Sequence, residues 1–318
     1  NLDSLESYNG DKFGLATLNL YSSKVKEYLY SEFRYWVDPL ENGSLKYGVD
    51  GFRIDHMMDD LDNKGKLTNL FEDFWKPLFK ELREINPKIK FMGEQGDWAD
   101  YGFDFFDCAD IDYMFAFPLK FAIAEFEKGK IIEQCLQLKE STPEGKRQIV
   151  FIENHDMDRF ASNVEGNMHK LRIGATLNML ISGLPSIYYG QELGMKGKGG
   201  FNAYGVSDGN DIPRREAFPW TEQMDQEGNA LWYKDSGPWW DDSELFDFSG
   251  ISVEEQRRDP ESLLNFYKKL IRLRKSNLAF SKGDLVFLSI DNDEVLGFER
   301  VAEDQRVLVL LNLSDQNQ

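Results

Sequence analysis

Short apolar runs alternate with segments of helical period over most of this chain, and that alternation limits the fold more than any other feature. Five runs read as strands, beginning near residues 49, 89, 111, 148 and 185. Between them, apolar residues recur at helical spacing. Val25, Leu29, Phe33 and Trp36 mark one helix, with Ser22 or Ser23 as its cap and Pro39 near its end. Leu70, Phe74, Leu78 and Leu82 mark another, capped by Thr68 or Asn69 and open to a kink at Pro77. Residues 120–138, 168–181 and 262–273 are read as further helices. Such alternation implies a parallel sheet covered by helices. Five strands fit an open doubly wound sheet, or the last part of an eight-stranded barrel whose first strands are missing.

The strand ends carry the polar residues. In the run 49–54, Phe52 and Ile54 face one way, while Arg53 and Asp55 alternate with them and share the other side. A charged pair at a strand end is costly unless its members bind each other. At the C-terminal mouth of a barrel strand it reads as catalytic, and in a scaffold it reads as a structural ion pair. The run 89–93 ends in Glu94, and the run 148–152 ends in Glu153-Asn154-His155-Asp156. A parallel barrel brings all its strand ends to one face, so Asp55, Glu94 and Asp156 can converge there. Two carboxyl groups in different environments are the minimum for cleaving a glycosidic bond. Arg53 would keep Asp55 ionised, and the apolar run before Glu94 suits a carboxyl held partly neutral.

Composition narrows the partner. A net charge of -19 argues against nucleic acid and against an anionic membrane surface. It suits a neutral partner, and sugars are one such class. Hydrophobic residues make up 41% of the chain, enough for a large core. No apolar run reaches the roughly 18 residues of a membrane span. Cys108 and Cys135 sit among apolar residues and are expected to be reduced thiols. The chain opens on Asn1, so an upstream segment could have carried a signal peptide.

Residues 190–260 form a long stretch rich in Gly, Asp and Trp, read as a functional loop or insertion. Aromatic faces stack on sugar rings, so some of Trp98, Phe201, Tyr204, Trp220, Trp232, Trp239 and Trp240 are candidates for sugar contacts. Asp208, Asn210 and Asp211 lack the full spacing of a calcium loop and read as a solvated loop. After Gly283 the pattern turns to strands at 285–290, 295–301 and 307–313, separated by turn residues. The expected domains are 1–282, the barrel part, and 283–318, the start of an antiparallel β-sandwich.

Gly51-Phe52-Arg53-Ile54-Asp55 resembles the second conserved motif of the α-amylase superfamily of retaining glycoside hydrolases. Gly93-Glu94 resembles its third motif and Phe151-Ile152-Glu153-Asn154-His155-Asp156 its fourth, in the family's order. Leu15-Ala16-Thr17-Leu18-Asn19 is similar to the short motif before the third helix. Tyr188-Tyr189-Gly190-Gln191-Glu192-Leu193-Gly194-Met195 resembles the eighth strand and its loop, and Arg214-Arg215-Glu216-Ala217-Phe218-Pro219-Trp220 a downstream loop. The resemblance implies a (β/α)8 TIM barrel, here strands 4–8. It implies Asp55 as nucleophile, Glu94 as general acid/base and Asp156 as holder of the sugar hydroxyls. It implies that Arg53 orients Asp55 and that His155, His56, Trp98 and Arg159 serve the substrate. For Arg159 and Glu153 a structural salt bridge is the competing reading.

The departures carry weight too. After Asp55 comes His56-Met57-Met58-Asp59. The family often has Ala after the nucleophile and a Lys-His pair further on, whose His backbone helps to bind calcium. Met58 cannot donate to a sugar, so the outer subsites and any structural Ca2+ are in question. The family's first motif has no counterpart, and the expectation is a C-terminal part of a longer polypeptide whose N-terminal barrel strands belong to the same chain. The expected activity is retaining hydrolysis of α-1,4-glucosidic bonds in starch or maltooligosaccharides. The alternatives are a transglycosylase, an oligosaccharide-specific glucosidase or neopullulanase, and a catalytically silent sugar binder. A polymer substrate places the protein outside the cell, in the periplasm or on the cell surface, and an oligosaccharide substrate in the cytoplasm.

Overall fold

The structure is a computed structural model that describes residues 5–6, 12–13, 17–61, 65–199, 208–223, 225–230, 235 and 250–314. The loop aromatics Phe201, Tyr204, Trp232, Trp239 and Trp240, and the start of the 15–19 motif, lie outside the described residues. The chain divides into two compact units, residues 1–118 with 136–149, and residues 119–135 with 150–318.

The first unit is built on parallel strands Gly51–Met57, Lys90–Gln95, Tyr113–Phe115 and Arg147–Val150, paired in that order. Helix Ser23–Val37 packs on the first strand through Phe33, whose ring meets Phe52 at 4.8 Å between centroids. Phe91 stacks on Phe79 at 4.1 Å. Ser22 stands at the N-cap of the first helix, but its hydroxyl makes no cap bond. The expected kink at Pro77 takes the form of a π-helical turn, Phe71–Trp75, followed by α-helix Lys76–Ile85. Proline has no N–H to give to the carbonyl four residues back. That carbonyl, on Asp73, instead accepts Lys26 Nζ at 2.7 Å, and the Phe74 carbonyl accepts Tyr30 Oη at 2.8 Å. The irregular turn is thus satisfied by side chains of the first helix.

At the other ends of these strands Asp112 is nearly buried. It accepts from the Phe91 N–H at 3.0 Å, Lys90 Nζ at 2.9 Å and Arg83 at 2.9 Å. Burial alone would raise its pKa. The Lys90 hydrogen bond, the Phe91 N–H and the Arg83 charge outweigh that and hold the carboxyl below its ordinary 3.8.

In the second unit, helix Met168–Leu180 is buried along most of its length. Asn167 caps it through a bond from the Lys170 N–H. Helix Leu263–Ser276 has Ser262 as its cap. The helix expected over 120–138 is two helices, Phe117–Glu125 and Lys128–Glu140. The break is at Phe126, which takes φ +58° and places its ring 6.0 Å from that of Phe160. The strand expected near 185 is only Leu184–Pro185. Helix Val253–Arg258 lies inside the segment read as loop, started by a reciprocal Ser252–Glu255 capping box.

Strands Asp284–Phe287, Val295–Ala302 and Gln305–Asn312 form a three-stranded antiparallel sheet in the same unit. Arg300, from the middle strand, is buried and donates to the carbonyls of Ile181, Ala279 and Gly283. Burial and the nearby Arg274 charge bring its pKa down to about 10. Cys108 and Cys135 are both free thiols, Cys135 buried and Cys108 half-buried.

Asp112→Asn should lower stability by about 1.5–3 kcal/mol at neutral pH, the cost of losing charge-assisted bonds. The folded pKa is depressed, so the contribution is full above the ordinary 3.8 and is lost as pH falls through the lower folded value. Urea unfolding of wild type and variant should show the gap at pH 7 and a narrowing gap below pH 3.8. A gap of equal size throughout contradicts the pairing.

Candidate active site

Parallel register sets Arg53 beside Met92 and Ile54 beside Gly93. The next residues on the two strands, Asp55 and Glu94, therefore stand side by side near the strand ends. Arg53 binds both. One guanidinium nitrogen donates to Asp55 Oδ1, and the other lies 2.8 Å from Glu94 Oε2. The acids differ sharply in exposure: the Asp55 side chain is 78% exposed and that of Glu94 9%. Partial burial raises the Asp55 pKa. The hydrogen bond and charge of Arg53, a hydrogen bond shared with Glu94 and the nearby His56 outweigh it, leaving the carboxyl below its ordinary 3.8. Asp55 is therefore ionised at neutral pH.

Asp55 owes its exposure to the backbone beyond it. Pairing is irregular between Ile54 and Met57, and His56 sits there at φ +45°. Residues other than glycine rarely take this region, and where they do the strain is often part of a site. The turn aims the His56 N–H at Glu94 Oε2, 3.2 Å away. Burial lowers the His56 pKa below 6.5, so the imidazole is neutral at neutral pH. Its buried Nε2 has no hydrogen-bond partner among the described residues.

Gly93 lets Glu94 stand where it does. A Cβ there would lie 2.9 Å from Ile111 Cδ1 and 2.9 Å from Met114 Sδ. After Glu94 the chain is fixed by Gln95, whose Nε2 donates to the carbonyls of Asp100 and Phe115 at 2.9 and 2.6 Å. Trp98, in the loop so held, is half-buried and stacks one face on Phe117 at 4.9 Å and 6°.

Asp156 belongs to the second unit and is held by residues of that unit. Arg215 donates to Asp156 Oδ1 at 3.0 Å, and His155 Nε2 lies 3.2 Å from Oδ2. Arg215 Nε donates to the His155 carbonyl at 3.0 Å, and Arg214 to the Asp156 carbonyl at 3.1 Å. Arg159, expected at the substrate, is fully buried. It donates to Glu153 at 3.0 Å and to the carbonyls of Tyr189 and Arg214, and its guanidinium lies over the ring of Tyr188 at 4.0 Å. Its ion pair with Glu153 lies inside the 153–159 turn, and its Nη2 is buried without a hydrogen-bond partner among the described residues. Asp211, read as part of a solvated loop, pairs with Arg214 at 2.7 Å and with Arg215 at 3.2 Å.

Among the described residues no group of three or more His, Cys, Asp or Glu is arranged to hold a metal. Asp59, at the position in question for calcium, accepts the Phe71 N–H at 2.8 Å and starts the helical turn there.

The family model for the catalytic domain of α-amylase matches residues 8–283. The chain belongs to the α-amylase family. Among its relatives is α-amylase 3 of Dictyoglomus thermophilum, 26% identical over 309 residues, covering 93% of this chain and 55% of that protein. The 4-α-glucanotransferase of Thermotoga maritima is 33% identical over 282 residues, covering 86% and 56%. The chain spans about half the length of these relatives. A crystal structure of α-amylase from H. orenii superposes with a TM-score of 0.76 at 24% identity, over 98% of this chain and 60% of that one. Family and neighbour together give a TIM-barrel-like fold, in which these parallel strands end on the site-bearing face.

Sequence reasoning found Arg53, Asp55 and Glu94 at adjacent strand ends because alternation and strand ends are local signals. It missed what Arg215 and Asp211 do. They are about 55–60 positions from Asp156, and only tertiary structure pairs them. Gly93→Ala should destabilise the protein by about 1–3 kcal/mol, the usual cost of an overpacked core. Urea unfolding tests this, and wild-type stability would mean that Ile111 and Met114 yield freely.

Proposed function

We propose that this chain carries the site of an enzyme that cleaves α-1,4-glucosidic bonds of starch or maltooligosaccharides with retention of configuration. The observation that carries the reading is the Arg53 bridge, which holds one exposed, ionised carboxyl beside one buried carboxyl. Asp55 attacks the anomeric carbon while Glu94 protonates the leaving oxygen. A covalent glycosyl-enzyme forms, and Glu94 then takes a proton from the water that releases it. Arg53, bound to both acids, keeps them close together, which supports retention. Retaining pairs stand about 5–5.5 Å apart, whereas inverting pairs leave about 6.5–9.5 Å for a water.

In this reading Asp156, His155 and His56 hold sugar hydroxyls. Trp98 offers a ring edge to a neighbouring sugar. The parallel strands serve as strands 4–8 of an eight-stranded barrel, and the antiparallel sheet begins a C-terminal β-sandwich. A polymeric substrate would place the protein outside the cell.

Transfer of the glycosyl group to a second sugar is the other reading, and the 33% identity to a 4-α-glucanotransferase favours it. The two differ only in the acceptor that resolves the intermediate. Maltotriose distinguishes them: a hydrolase yields maltose and glucose in equal amounts, and a transferase yields longer chains.

Glu94→Gln should lower kcat on maltotetraose by roughly 10²- to 10⁴-fold, the range for loss of a general acid. Asp55→Asn should lower it at least as far, with the circular dichroism spectrum unchanged. Near-normal turnover in either variant ends the assignment.

A further inference from the structure

Arg215 has two carboxylate partners on a single nitrogen, Asp156 Oδ1 at 3.0 Å and Asp211 Oδ2 at 3.2 Å. Its Nε is engaged by the carbonyl of His155, one residue before Asp156. The guanidinium thus grips both the backbone and the side chain of the His155-Asp156 step. A planar guanidinium with donors in fixed directions defines where its acceptors lie, which a lysine cannot do to the same degree. Asp211 is itself fixed, because its other oxygen accepts Arg214 at 2.7 Å. Arg214 in turn donates to Asp158 at 3.0 Å and to the Asp156 carbonyl. The short helical segment Asp208–Arg214 therefore ends in a brace that sets the position of one acid on another loop.

We propose that Arg215, seated by Asp211, is the positioning residue of Asp156, fixing the carboxylate through Oδ1 and leaving the Oδ2 side, shared with His155, to the sugar. The inference rests on the reading of Asp156 as a substrate-holding acid. Arg215 itself touches no reacting atom. Its effect falls on the transition state, where small errors in the placement of a stabilising group matter most.

Initial rates on maltotetraose test this with Arg215→Ala, Arg215→Lys, Asp211→Asn, Asp156→Asn and the double variant R215A/D156N. Arg215→Ala should lower kcat by about 10- to 100-fold, the scale of a misplaced catalytic geometry, while KM changes little. Arg215→Lys should recover part of that loss, and Asp211→Asn should fall between Arg215→Ala and wild type. In the Asp156→Asn background the Arg215→Ala change should have no further effect, since the two act as one unit. Wild-type kcat in Arg215→Ala beside a crippled Asp156→Asn overturns the positioning role alone. Multiplying losses in the double variant overturn it as well. Full activity in Asp156→Asn overturns the functional reading and this inference with it. Should Arg215→Ala fail to fold, Arg215→Lys and Asp211→Asn decide, and wild-type kcat in both overturns the inference.

Discussion

One guanidinium between two carboxyl groups sets the chemistry of the first unit. Arg53 pairs with the exposed Asp55 and the buried Glu94 at the ends of neighbouring strands. Either acid alone would be a simple strand-end ion pair. Together they form an asymmetric couple, because one carboxyl faces solvent and the other faces protein. The backbone differs at the two acids: Gly93 lets its strand pass close to Ile111 and Met114, and the left-handed His56 lies where the pairing becomes irregular next to Asp55. Packing therefore distinguishes the acids before any substrate arrives.

The second unit solves a different problem, that of fixing an acid on an irregular loop. After Val150 the chain leaves the strand, and Asp156 has no ladder of backbone bonds to hold it. Arginines take over. Arg159 closes the turn from within, and Arg214 and Arg215 clamp it from the later segment. Each buried cation is matched by a carboxylate or by carbonyls, which keeps the desolvation cost tolerable. Arg300 follows the same rule where the antiparallel sheet meets the carbonyls at the end of the Met168–Leu180 helix.

Much of this was legible in the sequence, and the reason is locality. The alternation of Phe52 and Ile54 with Arg53 and Asp55 follows from strand geometry alone, and Gly93-Glu94 ends its strand as expected. The Ser262 cap and the apolar face of its helix are local patterns too. The helix at Val253–Arg258 had a readable sign in Ser252 and Glu255 that the surrounding Gly-rich and Asp-rich sequence masked. The break at Phe126 had none, since a phenylalanine in a left-handed conformation is chosen by its contact with Phe160 rather than by its neighbours in sequence. Arg159 was ambiguous because a buried and a ligand-facing arginine look alike until burial is known.

The turn ahead of Pro77 bears on how small this unit can be made. Lys26 and Tyr30 occupy the carbonyls that the proline and the widened turn leave open. Cutting the chain after residue 33 would strip those acceptors of their donors and uncover Phe52 as well. A minimal fragment designed to keep the Asp55–Glu94 couple must therefore include the whole of the Ser23–Val37 helix, although none of its residues approaches the two acids through a bond described above.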